Sequence, residues 1–274
     1  MYIFDLFMLR RIFYRLPPAA RFLLRRLWYL PSDVLTKRLE MTPPRGLIYT
    51  GRGDFVKQGE EWLAFFISQG LRPEQHFLDI GSGIGRIARA LTSYLNGRYE
   101  GFDVVKMGVS WCEKNISSRF PHFRFQYVEL YNDLYRFSGD SAENFQFPYE
   151  SDMFDFACAI SVFTHLLPTE TENYLKQVSQ VLKKEGRLVA TFFILPEASD
   201  FKKLKFHFPF NFGHYALMDK SVKHGNVAYN ADYLFQLFTQ NNFRLIQWLK
   251  GSWKGTETLS CSLAFQDVVV LERG

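Results

Sequence analysis

The chain has 274 residues, 47% of them hydrophobic and 22% charged, a balance that excludes disorder and collagen-like structure and suits one large domain with additions. Its formal charge of +5 lies wholly in residues 1–30, where six arginines (Arg10, Arg11, Arg15, Arg21, Arg25, Arg26) face one acid, Asp5. The rest of the chain is balanced, which argues against a nucleic-acid binder with basic clusters through its body. Three scattered cysteines, Cys112, Cys158 and Cys261, contain no C-x-x-C pair, so neither a disulfide framework nor a zinc knuckle is expected and a reducing compartment is.

Residues 1–30 read as two short amphipathic helices joined at Pro17-Pro18. In the first, Leu6, Leu9 and Phe13 oppose Arg10, Arg11 and Arg15; in the second, Arg21 and Arg25 oppose Phe22, Leu24, Leu27 and Trp28. A basic face against an aromatic one is the pattern of a helix lying in an anionic membrane interface. The alternative is packing on the protein's own body or on a second subunit, with the arginines solvated. Apolar runs here are cut short by Asp5, the arginines and the proline pair, so no span is expected. The arginines follow the apolar residues rather than precede them, so no export signal is expected either, and the chain reads as cytoplasmic and peripheral at the inner membrane face. Pro31 to Thr50 is turn-rich and reads as a connector, which divides the chain into an extension and linker, 1–45, and a domain, 46–274.

A helix over Phe55–Gln69 comes next. Strands are then predicted at His76–Ile80, Arg98–Phe102, Arg124–Val128, Phe154–Ile160 and Arg187–Leu195, with helices over Arg86–Leu95, Lys106–Ser118 and Thr169–Lys183 between them. A helix near Asp232–Gln240 and two strands, Phe243–Leu249 and Ala264–Leu271, close the chain. The alternation implies an α/β fold: a doubly wound, Rossmann-like, seven-stranded and mostly parallel sheet with a C-terminal antiparallel hairpin strand, plus the N-terminal helical extension. Residues 196–229 carry no clear period but many aromatics and histidines, among them Phe206, His207, Phe208, His214 and Tyr215, and read as a lid over an acceptor pocket. His207 and His214 have no third ligand nearby and carry no metal site.

The most informative stretch is His76-Phe-Leu-Asp-Ile-Gly-Ser-Gly-Ile-Gly-Arg86, an apolar strand ending in Asp79 that runs through Gly81, Ser82, Gly83 and Gly85 into a helix. Glycines at such a turn remove the Cβ atoms that would hold a ligand off the main chain. The third glycine comes one residue too early for a dinucleotide fingerprint, and no G-K-S/T follows for a triphosphate loop.

This D-x-G-x-G-x-G text resembles motif I of the class I S-adenosylmethionine (SAM) dependent methyltransferases, and four later segments keep that family's order. Asp103 ends the second strand, where the resemblance implies a carboxylate for both ribose hydroxyls, with Val104 beside it. Glu129 and Leu130 follow the third strand, where the family places an acid or amide and an apolar residue against the adenine. Phe154–Ser161 with Val162-Phe-Thr-His-Leu166 resembles the fourth strand and its loop, with Ser161 beside the methionine portion. Val181–Val189 resembles the approach to strand five, with Glu185 where a second glycine or proline is common. The implied cofactor is SAM, and the implied cofactor-binding set is Asp79, Gly81, Ser82, Gly83, Gly85, Asp103, Val104, Glu129, Leu130 and Ser161.

The resemblance implies methyl transfer by in-line displacement, for which the protein aligns the nucleophile, excludes water and accepts a proton. No carboxylate occurs between Phe156 and Thr169, so a metal-assisted mechanism is not expected, and the Asp/Asn-Pro-Pro-Tyr signature of amino-methylating relatives is replaced by Ser161-Val-Phe-Thr. Nucleic acid is therefore not the expected substrate. His165 is the candidate catalytic base, set against a structural role in capping or backbone bonding. The expected acceptor is a small molecule or a lipid- or glycan-linked group methylated on oxygen or nitrogen. The other class considered is a non-catalytic protein of the same fold that serves as a membrane-associated scaffold.

Overall fold

The computed structural model describes residues 16–51, 53–136, 138–196, 206–255, 263 and 265–274. The first predicted amphipathic helix, Cys261 and part of the 196–229 segment lie outside these residues.

Strands β1 (Phe77–Ile80), β2 (Tyr99–Asp103), β3 (Phe123–Tyr127), β4 (Phe154–Ala159) and β5 (Leu182–Leu195) pair in parallel in the order β3-β2-β1-β4-β5. Every residue of β1 and β2 is buried, because helices cover both faces of the sheet. On one face lie α2 (Phe55–Ser68), α3 (Arg86–Leu91) and α4 (Lys106–Cys112), whose Trp62, Phe66, Leu91 and Cys112 pack on Phe77, Tyr99 and Phe156. On the other lie α5 (Pro168–Val181) and α6 (Ala231–Gln240), which place Tyr174, Leu175, Val178, Leu237 and Phe238 in one cluster with Leu78, Ala157 and Leu188. Asp54 starts α2 by accepting the Val56 and Lys57 amides, each at 2.9 Å.

At the end of the chain, β9 (Phe243–Leu249) and β10 (Asp267–Arg273) form the antiparallel hairpin, and β10 is inserted between β5 and β9. These two and the five parallel strands make the seven-stranded sheet that the alternation predicts. Strand β5 begins five residues earlier than predicted. Its first pairing, Leu182 with Phe154, is separated from the regular register by an irregularity, and within it Glu185 adopts φ 63°, in the left-handed region that glycine prefers.

The 196–229 segment is not a plain loop. Its described part folds as β6 (Phe210–Asn211), β7 (Tyr215–Leu217) and β8 (Val227–Asn230), a small meander whose last strand pairs with Phe193–Leu195 of β5. Strand β5 thus changes partner: β10 starts opposite Phe192, and β8 takes over at Phe193. At that fork sits Asp267, fully buried, whose carboxylate accepts from the Ile194 and Gly251 amides, Trp253 Nε1 and Lys254 Nζ at 2.7–3.0 Å, with Trp248 Nε1 at 3.3 Å.

The N-terminal extension differs most from the sequence reading. Helix α1 (Pro18–Leu35) runs through Pro31 and ends only where the Thr36 amide bonds the Ser32 carbonyl. Arg21 and Arg25 do not form a solvated face. Arg21 is buried with Nη2 on the Leu134 carbonyl, and the Arg25 guanidinium lies 5.1 Å from the centre of the Tyr29 ring. The apolar face points outward instead, with Leu24, Leu27, Trp28, Leu30, Val34 and Leu35 between 50% and 85% exposed. Among the described residues no helix is long and apolar enough to cross a membrane.

Candidate cofactor and acceptor site

The glycine turn at the carboxyl end of β1 joins that strand to α3. Gly81, Gly83 and Gly85 all have positive φ, between 59° and 78°. At Gly85 the reason is packing, since a Cβ would stand 2.7 Å from Cys112 Sγ and 2.8 Å from Ile116, forcing α4 off the sheet. At Gly83 it is openness: a Cβ would meet nothing closer than the Thr50 hydroxyl at 3.5 Å. Four amides of the turn are used to hold its shape: Gly81 and Ser82 donate to the Phe102 carbonyl, Gly83 to Asp103, and Gly85 to the Ser82 carbonyl. Ser82 Oγ is buried without a hydrogen-bond partner among the described residues.

Asp103 ends β2 beside this turn. Its Oδ2 accepts the Gly83 amide at 2.8 Å; its Oδ1 accepts the Val105 amide at 2.8 Å and the Tyr49 hydroxyl at 3.4 Å. Burial raises its pKa to about 6, against the pull of those donors. Asp79 does not face the turn in the same way. Tyr99 donates to its Oδ2 at 2.6 Å and Cys158 Sγ to its Oδ1 at 3.3 Å, so both oxygens are held by side chains of neighbouring strands, and burial lifts this carboxyl also to about 6. Val104 is half-buried next to Asp103, and Leu130 is buried after β3. Glu129 is exposed and lies 3.5 Å from Arg136. Ser161, with φ 59° at the end of β4, is exposed; Thr191 accepts from its amide at 2.7 Å, and its hydroxyl donates to Gln266 at 2.9 Å.

His165 lies on the short turn Phe163–His165 after β4. Its Nδ1 donates to the His224 carbonyl at 2.8 Å, which leaves Nε2 with the lone pair, and burial lowers its pKa to about 4. His224 was not singled out in the sequence. It is buried with Nε2 3.1 Å from Glu170 and Nδ1 3.1 Å from Asp133. Burial alone would depress its pKa, but the two carboxylates hold it up at about 9, so it is an imidazolium at neutral pH. Both acids have second tasks: Glu170 accepts the Leu167 amide at the start of α5, and Asp133 accepts the Lys223 and His224 amides. No sequence signal finds this cluster, because its members lie 54 and 91 residues apart.

Beside it runs a groove of about 430 Å³ lined by Tyr131, Asp133, Glu143, Glu170, Lys220 and His224, among others. The aromatics of the 196–229 segment do not line it. Phe206 and Phe208 pack on Phe193 and Trp253 in a cluster of their own, and Lys220 covers the Phe210 ring. The groove is polar where the sequence suggested an aromatic pocket, because Phe206 and Phe208 pack against Phe193 of β5 while Lys220, Ser221 and Lys223 of the loop between β7 and β8 line the groove.

Parallel strands 3-2-1-4-5, a glycine turn after the first, an acid ending the second and one reversed strand near the edge define the Rossmann-like methyltransferase class. The family model for a methyltransferase domain matches residues 78–190, which span the glycine turn, β2, β3 and β4 and most of β1 and β5. The fold agrees with solved structures. A SAM-dependent methyltransferase from Methanosarcina mazei is 19% identical, with 76% of this chain and 96% of that one covered at a TM-score of 0.52. One from Clostridium acetobutylicum is 12% identical, with 81% and 93% covered at 0.55. The [4+2]-cyclase SpnF shares the fold at 15% identity, 78% and 80% coverage and 0.52, so the sheet alone does not define a reaction. The family match adds the reaction class over that stretch: residues 78–190 form a methyltransferase domain of the SAM-dependent kind, which implies SAM as its cofactor.

Proposed function

We propose that the enzyme methylates an oxygen or nitrogen of a polar small-molecule or lipid-linked acceptor, without a metal ion, while resting on an anionic membrane surface. The observation that carries this reading is the gathering of Gly81–Gly85, Asp103, Ser161, His165 and the polar groove at the carboxyl ends of the parallel strands, where doubly wound folds bind ligands.

The residues present fit the cofactor. The open flank of Gly83 admits a ligand against the main chain, the unpartnered Ser82 hydroxyl offers a polar contact, and Asp103 suits a vicinal diol. Leu130 and Val104 supply apolar contact for the adenine, with Glu129 near its amino group, and Ser161 borders the methionine end. Asp79 acts from behind, fixing the turn through Tyr99 and Cys158. SAM supplies a sulfonium-bound methyl group already activated for displacement. His165 Nε2, which keeps its lone pair because Nδ1 faces the His224 carbonyl, would take up the acceptor's proton during transfer. A neutral imidazole whose pKa is about 4 accepts a hydrogen bond well but holds a proton weakly. This favours an amine or an acidic phenol over an aliphatic alcohol. The metal-free reading rests on the carboxylate-free stretch from Phe156 to Thr169.

Membrane contact is supported by the outward apolar face of α1, flanked by the exposed Arg26, Lys37 and Arg38. Calorimetric titration with S-adenosylhomocysteine tests the enzyme reading, with micromolar binding expected and Asp103→Ala expected to abolish it. The double variant Leu27→Asp/Leu35→Asp should lose co-sedimentation with phosphatidylglycerol vesicles yet keep that affinity. Wild-type protein that ignores such vesicles refutes the membrane part.

A further inference from the structure

Tyr49 belongs to the stretch read from sequence as a connector, yet it lies against the cofactor carboxylate. Its ring stands between Phe22 of α1, at 5.6 Å between centroids, and Tyr135, at 6.3 Å. Its hydroxyl sits in a notch that only a glycine leaves open, since a Cβ at Gly108 would stand 2.4 Å from it and 2.4 Å from the Gly83 carbonyl. The next residue, Thr50, flanks Gly83, and its carbonyl accepts Arg86 Nη2 at 2.9 Å. The segment is thus fitted onto the glycine turn at several points.

A carboxylate has about four acceptor positions. Asp103 has at least three in use, by the Gly83 and Val105 amides and the Tyr49 hydroxyl. A ribose diol brings two donors to a group with at most one position left. One existing bond must yield, and the two amides are short and fixed by the turn and by β2. The Tyr49 hydroxyl, at 3.4 Å and on a side chain, is the one that can leave.

We infer that Tyr49 is a gate on the cofactor site: its hydroxyl occupies a position on Asp103 that the ribose of SAM needs, so cofactor entry displaces Tyr49 and loosens the Tyr49–Gly51 segment together with the start of α1. This rests on Asp103 being the ribose-binding group. The coupling to α1 runs through Phe22, which packs on the Tyr49 ring, and Arg21, which is bonded to the Leu134 carbonyl one residue from Tyr135. Cofactor occupancy and the setting of the outward apolar helix become linked equilibria, each biasing the other by the same factor.

The test uses the full chain and S-adenosylhomocysteine, with affinity read by calorimetry and opening read by hydrogen–deuterium exchange of peptides covering residues 18–35 and 45–51. Tyr49→Phe removes the competing donor and keeps the ring, and should bind about three- to tenfold tighter, the net worth of one ordinary hydrogen bond, since this one is long at 3.4 Å. Phe22→Ala, which releases the ring without touching Asp103, should shift affinity in the same direction. In wild-type protein the ligand should raise exchange in both peptides. Unchanged or weaker binding by Tyr49→Phe, or a fall in exchange at 45–51, would make Tyr49 a clasp and overturn the gate. Failure of the wild type to bind the ligand at all would overturn the ribose role of Asp103 and the gate with it.

Discussion

Raising the pH from 7 to 8.5 should weaken the fold through one residue, His224. Its folded pKa is about 9 and its reference value 6.5. The folded state therefore holds the proton more tightly than the unfolded chain. The stabilisation is fully present below pH 6.5 and is lost as pH rises through 9. The 2.5-unit difference is worth at most about 3 kcal/mol, of which about 2 kcal/mol disappears between pH 7 and 8.5. For a chain of this size that is a fall in Tm of about 4–8 °C. Other shifted groups do not blur the window. Asp79 and Asp103, raised to about 6 by burial, and His165, lowered to about 4, finish their changes below pH 7. The buried thiols Cys112 and Cys158, raised by burial, add a loss near the top of the window that any His224 variant shares. Calorimetric melts of wild type and His224→Gln should therefore converge as pH rises across this range, the variant being less stable at pH 7 and nearly flat. If the two curves fall in parallel, His224 is not the imidazolium that ties Asp133 to Glu170.

Two further predictions follow from strain and from buried charge. Glu185→Gly should stabilise the fold by about 0.5–1 kcal/mol in urea melts, because the exposed glutamate loses no contact while glycine relieves a φ of 63°; no gain would mean that the turn is not strained. Asp267→Asn should cost about 3–5 kcal/mol, because it leaves the buried Lys254 ammonium without its counter-charge among donors already committed to that carboxylate; a loss under about 1 kcal/mol refutes the hub.

The glycine turn and Asp103, proposed above to hold the cofactor, were legible because their determinants are local. A strand, three glycines and the first residue of a helix occupy eleven consecutive residues, and Asp103 repeats the logic one strand later. The groove and the His224 cluster beside it were not. Strands β6 and β7 have two and three residues, too short for any period to register. The His224 cluster is assembled by the crossing of three segments, and Tyr49 has no neighbour in sequence that announces a ligand. The orientation of α1 misled for a different reason: periodicity separates two faces but does not say which one turns inward. Arg21 won the inner side because a carbonyl at Leu134 accepts its guanidinium and the Tyr49 ring receives Phe22. Pro31 interrupts one amide of α1, but the helix continues for another turn, because Asp33 accepts the Arg45 and Gly46 amides at 2.6 and 2.9 Å and anchors its end.

The fork in β5 separates the scaffold of the glycine turn from the β6–β8 meander. Residues up to Phe192 share their main-chain bonds with β4 and β10, and the last three share theirs with β8. Asp267 closes the seam by taking the Ile194 amide at the place where one partner stops and the next begins. The meander can therefore be exchanged for another of similar length, or accumulate substitutions along its charged loop, without moving the glycine turn. A single strand with two successive partners gives this fold a fixed centre and a replaceable rim.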